Sequence, residues 1–224
     1  MRNKRGSWLV VGITLVAMSA VLVPHRADAQ GSSRPVQVGG KAAWNLSRVR
    51  GEAFADDEIP IVFKTGNGFS VGGLLAFAAG SNVTIQPEFL YSQKKVKADV
   101  IAEGRVANGE IDTDWFEIPV LAKFHGNSDR GVRPFAMAGA TFSFLVNARQ
   151  SLTLDGMTET EDIKDELNGT DVGITLGGGV DFMQDWGVVT VDARYTFGLR
   201  QLGEPDEGES IKQDTFAVSV GVIF

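Results

Sequence analysis

The chain has 224 residues, no cysteine, 27 glycines and seven prolines, with 43% hydrophobic and 22% charged residues and a formal net charge of −7. Zero cysteine excludes disulfide scaffolds, zinc–thiolate sites and thiol chemistry, and two histidines leave little for a histidine-based metal site. The acidic balance argues against a nucleic-acid partner, which calls for a basic face, and the length fits one domain, or one domain behind a processed leader.

The first 29 residues read as that leader. Arg2, Lys4 and Arg5 form a positive start, Trp8 to Val23 is a 16-residue run without a charge, and Ala27-Asp28-Ala29 supplies small residues before a cut that leaves Gln30 first. The alternative is a retained membrane anchor, for which 16 uncharged residues are short. Removing the leader leaves 17 basic against 27 acidic residues in a mature domain of residues 30–224. Without cysteine no lipid anchor can be attached, so the expectation is an exported protein.

Beyond residue 35 the dominant period is two, the mark of strands with chemically different faces. Weaker alternation over 36–47 and 68–79 precedes a clear segment near 83–93, where Val83, Ile85, Pro87, Phe89 and Tyr91 oppose Thr84, Gln86, Glu88, Leu90 and Ser92. In 115–124, Phe116, Ile118, Val120, Ala122 and Phe124 oppose Glu117, Pro119, Leu121 and Lys123. A weaker segment covers 132–147. Then Val172, Ile174, Leu176, Val180 and Phe182 oppose Gly173, Thr175, Gly177, Gly179 and Asp181. Val189 to Leu199 alternates against Thr190, Asp192, Arg194 and Thr196, and Phe216, Val218, Val220, Val222 and Phe224 close the chain against small or polar residues.

Eight segments with a continuous apolar face and an opposing face of Gly, Ser, Thr and charge predict an all-β, eight-stranded antiparallel transmembrane β-barrel, apolar outside and polar inside. Closure is required because an open edge would leave backbone groups unpaired in hydrocarbon. A soluble β-sandwich or lipocalin-like barrel is the alternative. Connectors alternate long and short, the long ones at roughly 48–67, 94–113, 148–170 and 201–212. With both termini in the periplasm, this parity puts the four long connectors outside the cell.

The segments Gly40-Lys41-Ala42-Ala43-Trp44-Asn45-Leu46-Ser47, Gln86-Pro87-Glu88-Phe89-Leu90-Tyr91-Ser92 and Phe116-Glu117-Ile118-Pro119-Val120-Leu121-Ala122-Lys123 resemble three stations of the PorT-type outer-membrane β-barrel domain. Arg133-Pro134-Phe135 with Gly139, Gly177-Gly178-Gly179, and Asp192-Ala193-Arg194-Tyr195 with Gly198-Leu199 extend the resemblance from about residue 35 to the end. It implies a barrel of OmpA/OmpX size in the bacterial outer membrane, and no catalytic residue or cofactor. The terminal Phe224 looks like the signal read by the barrel assembly machinery.

An eight-stranded lumen is just wide enough for side chains to fill. The inward faces place Lys41, Lys123, Arg133 and Arg194 beside Glu88, Glu117, Asp181 and Asp192, a balanced set expected to pair and plug the lumen. The rival is a water-filled path lined by the same charges, a narrow channel for ions or small solutes. An enzyme finds little support: His125 is the one histidine of the mature chain, and the topology assigns it to a short periplasmic turn, as a surface residue. The third long connector carries Asp155, Glu159, Glu161, Asp162, Asp165 and Glu166, and the fourth Glu204, Asp206, Glu207 and Glu209. They read as solvated loops open to an extracellular ligand, or as a divalent-cation bridge to lipopolysaccharide phosphates. Trp44, Trp115, Trp186, Tyr91 and Tyr195 lie near strand ends, where an aromatic girdle belongs, with core packing the alternative for any one. The expected role is structural or surface-interactive, with outer-membrane lipid and lipopolysaccharide as surroundings and a monomer as the functional form. An accessory role in assembly or secretion rests on the family name alone.

Overall fold

The computed structural model describes residues 36–50, 61–102, 105–154, 157–200 and 212–224. The expected leader, Asp155 and the acids of the fourth connector lie outside them. Nine strands follow in chain order: β1 (Val36–Arg50), β2 (Ile61–Ala78), β3 (Val83–Ala102), β4 (Arg105–His125), β5 (Val132–Leu154), β6 (Met157–Asp162), β7 (Thr170–Gln184), β8 (Gly187–Gly198) and β9 (Lys212–Ile223), with a 3-10 turn at Lys164–Glu166. Every pairing between them is antiparallel. β1 pairs with β2 on one side and β9 on the other, with Gly39 opposite Ile223 and Arg50 opposite Lys212. β4 joins β3 to β5, and β5 joins β7. Eight strands thus form a closed barrel, and β6 is a ninth, appended strand paired with the far end of β5.

The structure redraws three long connectors, the first because residues 61–67 already belong to β2. Residues 94–102 and 105–113 continue β3 and β4 as one paired hairpin, and 148–154 continues β5 to meet β6. Charge-rich sequence read as loop is therefore sheet raised above the barrel. The short turns are tighter than expected: β7 runs to Gln184 and pairs it with Gly187 across two residues, and the β4–β5 turn takes the left-handed backbone at Arg130 and Gly131.

The two faces of the wall obey the alternation. Along β9, Thr215, Ala217, Ser219, Gly221 and Ile223 are buried while Phe216, Val218, Val220 and Phe224 are exposed. Outward aromatics form two rings. The upper ring runs through Trp44, Phe69, Tyr91, Phe116, Phe144, Phe197 and Phe216, with Trp44 opposite Phe69, Tyr91 opposite Phe116 and Phe116 opposite Phe144. The lower ring holds Phe77, Phe124, Phe182, Trp186 and Phe224, with Trp186 and Phe224 ring centroids 5.9 Å apart. From Phe116 to Phe124 the strand covers about 26 Å, or about 20 Å of height at a tilt of about 40°, comparable to the ≈ 25 Å apolar band of outer-membrane barrels. Outward positions between the rings, such as Val71, Ile118, Val120, Ile174, Leu176, Val191 and Val220, carry no charge. The rings fit the aromatic girdles that mark the two membrane interfaces.

Trp115 does not belong to them. It is buried inside the barrel mouth, packed with Leu145, Ala148 and Ile163. A bulge sets Asp114 opposite Asn147 but Trp115 opposite Leu145, and the segment after β6 folds back so that Ile163 N–H donates to the Ala148 carbonyl at 3.2 Å.

Above the upper ring, the β3–β4 hairpin is laced on its outer face by Lys95, which reaches Glu110 and Asp112, each at 2.9 Å. The Lys95 ammonium holds the Glu110 carboxyl below its ordinary value, and the hydrogen bonds to Asp112 and Glu110 raise Lys95. A depressed carboxylate contributes order that is present above its unfolded value and lost as pH falls through the folded one. Backbone amides of the hairpin, corrected for intrinsic exchange, should therefore lose protection below about pH 4.5, while amides between the aromatic rings keep theirs. Uniform loss across both regions would remove the ion pairs as its cause.

Candidate functional site: the charge network of the lumen

The inward faces bring the ionisable residues into three tiers. In the middle tier, Lys41 on β1 reaches across the lumen to Glu88 on β3 at 2.9 Å and to Asp192 on β8 at 2.8 Å. Arg194, two residues along β8, donates to the other Glu88 oxygen at 2.7 Å and lies 4.0 Å from Asp192. The Gln86 amide also donates to Glu88, at 2.7 Å. Lys41, Glu88 and Asp192 side chains are each no more than 1% exposed, so every charge here depends on its partners rather than on solvent.

Toward the short-turn rim, Lys123 donates to Asp181 at 3.1 and 3.4 Å and stands 3.7 Å above the centroid of the Phe135 ring. Arg133 approaches the same carboxylate at 3.9 Å from the rim, its side chain 29% exposed. The surface position expected for His125 is overturned: it is the last residue of β4, points inward and is buried. Its Nε2 lies 3.1 Å from the Thr84 hydroxyl, its ring packs edge-on against Phe135, and its Nδ1 stands 3.5 Å from Asp181. The order hydroxyl, imidazole, carboxylate invites comparison with a catalytic triad, but 3.5 Å is too long to orient the ring, and Asp181 is already engaged by Lys123.

The upper tier is centred on Glu117. It pairs with Lys94 at 2.7 Å and accepts from Ser92 at 2.5 Å and Ser143 at 3.3 Å. From Ser92 a chain of short hydrogen bonds runs through Ser70 to Asn45, at 2.7 and 2.6 Å, and Thr141, Thr175 and Thr196 form a second ladder at 2.7 and 2.9 Å. Lys94, a partner missed by assigning 94–113 to a loop, is buried. With Lys94 inside and Arg133 at the rim, four buried bases face four buried acids. A cavity of about 20 Å³ lies among Ser70, Glu117, Thr141 and Arg194, room for about one water. Above it, Trp115 and Ile163 cap the mouth.

Of the eight charged residues expected inside, seven are buried on the inward faces and Arg133 stands at the edge. Among the described residues no group of three or more His, Asp or Glu is arranged to hold a metal ion. Glu159, Glu161 and Asp162 lie along exposed β6.

Closed antiparallel wall, two aromatic rings and a polar, packed interior define an eight-stranded outer-membrane barrel. The chain belongs to the outer membrane protein beta-barrel domain family, which matches residues 28–204 and indicates the bacterial outer membrane as its place. Among curated proteins none matches the sequence. Similar solved structures include OprG from Pseudomonas aeruginosa, at 9% identity and TM-score 0.49, covering 87% of this chain and 98% of that one. Neisserial surface protein A matches at 15% identity and TM-score 0.44, covering 87% and 100%. Ail, the attachment invasion locus protein of Yersinia pestis, matches at 13% identity and TM-score 0.42, covering 85% and 100%.

Proposed function

We propose that this chain is a non-enzymatic outer-membrane barrel of the PorT type, exported by a leader over residues 1–29, with a lumen closed by its own ion pairs. Its role is structural or surface-interactive, exercised by the strands and acidic loops raised above the bilayer toward an extracellular ligand. Support for the closed lumen comes from one observation above all: Lys41 is gripped by two carboxylates from opposite walls, and Glu88 is shared with Arg194 at 2.7 Å. Ion flow would require opening these pairs in a low-dielectric interior, where each separated charge is costly. A monomer suffices, because the β1–β9 seam leaves the wall no free edge.

The test is single-channel conductance of residues 30–224 refolded into a planar bilayer, with folding checked by an unboiled gel shift. A folded, silent protein is expected. Reproducible open steps would overturn the closed lumen in favour of a narrow channel lined by Glu117, Lys123 and Arg194.

Phe224 carries the proposed link to the assembly machinery. Its ring is exposed on the outer wall and its N–H donates to the Val38 carbonyl at 2.9 Å, a backbone contact that any side chain preserves. Phe224→Ser should therefore slow insertion in cells several-fold while leaving unassisted refolding into vesicles within about 1 kcal/mol of the parent. Equal slowing in both settings would assign Phe224 to packing rather than to recognition.

A further inference from the structure

Asp214 occupies a position on β9 that the alternation points toward lipid, one outward step above Phe216, yet its side chain is only 1% exposed. Three outward groups cover it. Arg50 donates Nη2 to one oxygen at 3.3 Å, with its Nε 3.1 Å from the other. Tyr195 donates its hydroxyl at 2.9 Å. Arg48 approaches at 3.8 Å while donating Nε to the Tyr195 oxygen at 3.1 Å, its guanidinium 5.7 Å from the Tyr195 ring centroid.

The carboxylate thus fixes two guanidiniums whose side chains remain 59% and 51% exposed. Lys212, opposite Arg50 across the seam, shares their face. Among the described residues of this seam, three bases face one acid, on a chain whose net charge is −7. On the raised β3–β4 wall at this side of the membrane, Lys95 and Lys97 are offset by Glu110 and Asp112. The seam continues β1 and β9 just beyond Trp44 and Phe216, with Phe197 opposite Asp214, where acyl chains give way to headgroups.

We infer that Arg48, Arg50 and Lys212, held by Asp214 and Tyr195, form a binding site for the phosphate monoester of an outer-leaflet glycolipid. A guanidinium pair matches phosphate oxygens in a bidentate manner that lysine alone does not, and preorganisation by Asp214 lowers the ordering cost of binding. The inference rests on the outer-membrane reading of the barrel but is independent of whether the lumen conducts.

The protein in detergent, folded by gel shift, is titrated with bis-phosphorylated lipid A, with the same glycolipid stripped of its phosphates, and with inorganic phosphate, and bound lipid is counted by native mass spectrometry. Retention of the phosphorylated form at least about tenfold above the stripped form is expected, as for one or two charge-assisted hydrogen bonds. Arg48→Gln/Arg50→Gln should abolish that preference. Should this double variant fail to fold, Arg48→Gln alone, which leaves Arg50 on Asp214, should lose about threefold to tenfold. Equal retention of the two glycolipids, or an unchanged Arg48→Gln, would overturn the site. Displacement of lipid A by inorganic phosphate at equal concentration would assign it to free phosphate instead.

Discussion

Replacing Lys41 with methionine should cost the barrel about 3–5 kcal/mol, the range for removing one partner from a buried ion pair. Two carboxylates lose their shared ammonium at once, from 2.9 and 2.8 Å. Glu88 keeps Arg194 at 2.7 Å and Gln86, so the larger burden falls on Asp192, whose next base is Arg194 at 4.0 Å. Urea unfolding in lipid vesicles, followed by the gel shift, reads the loss. Lys41→Met combined with Asp192→Asn removes one positive and one negative charge together and should recover more than half of it, a coupling that a double-mutant cycle isolates. If the single variant unfolded within about 1 kcal/mol of the parent, the middle tier would contribute no net support to the fold.

Neighbouring glycines on β2 should respond in opposite ways to the same change. A Cβ on Gly72 would stand 1.9 Å from the Phe89 carbonyl oxygen and 2.9 Å from the Leu90 Cα, all backbone, so β2 and β3 would have to part. A Cβ on Gly73 meets nothing nearer than the Gly39 carbonyl oxygen at 3.7 Å. Gly72→Ala is expected to destabilise the barrel by about 3 kcal/mol or more. Gly73→Ala should stabilise it by about 0.5–1 kcal/mol through lower chain entropy. The pair is compared by refolding yield and urea midpoint in one lipid. Equal midpoints would mean that the wall relaxes freely at Gly72, against the close strand approach described for it.

Much of this was legible because a barrel wall is written in period two. Phase alone puts Glu88, Glu117, Lys123, Asp181, Asp192 and Arg194 inside and Trp44, Phe116, Ile174 and Val220 outside. What phase cannot supply is where a strand stops. Lys94-Lys95-Val96-Lys97 reads as a charged loop, although Lys94 and Val96 continue the inward phase of Ser92, and Thr113 continues that of Trp115 and Glu117 across the hairpin. β6 is harder still. Met157-Thr158-Glu159-Thr160-Glu161-Asp162 has no apolar face, and its extended form comes from pairing with β5. A lone polar residue at a strand end reads as turn, and the burial of His125 follows only from register: it stands opposite Phe135 across the β4–β5 hairpin, with Asp181 on the next strand. Val146, the residue skipped where Trp115 meets Leu145, shifts the phase of β5 at a point that no local composition announces.

The raised sheet also gives the molecule a compass bearing. β4 runs on from Phe116 to Arg105, about 36 Å of strand at about 3.3 Å per residue, and β3 and β5 climb beside it. On the far side, β8 ends at Gly198, one residue past Phe197, and β9 begins at Lys212, just above Phe216. Among the described residues, seen from outside the cell, the strands make a windward wall and a lee shore, and the paired guanidiniums of Arg48 and Arg50 stand on the lee. Rotation about the membrane normal therefore changes what a neighbour meets, a directional property that an evenly crowned cylinder would lack.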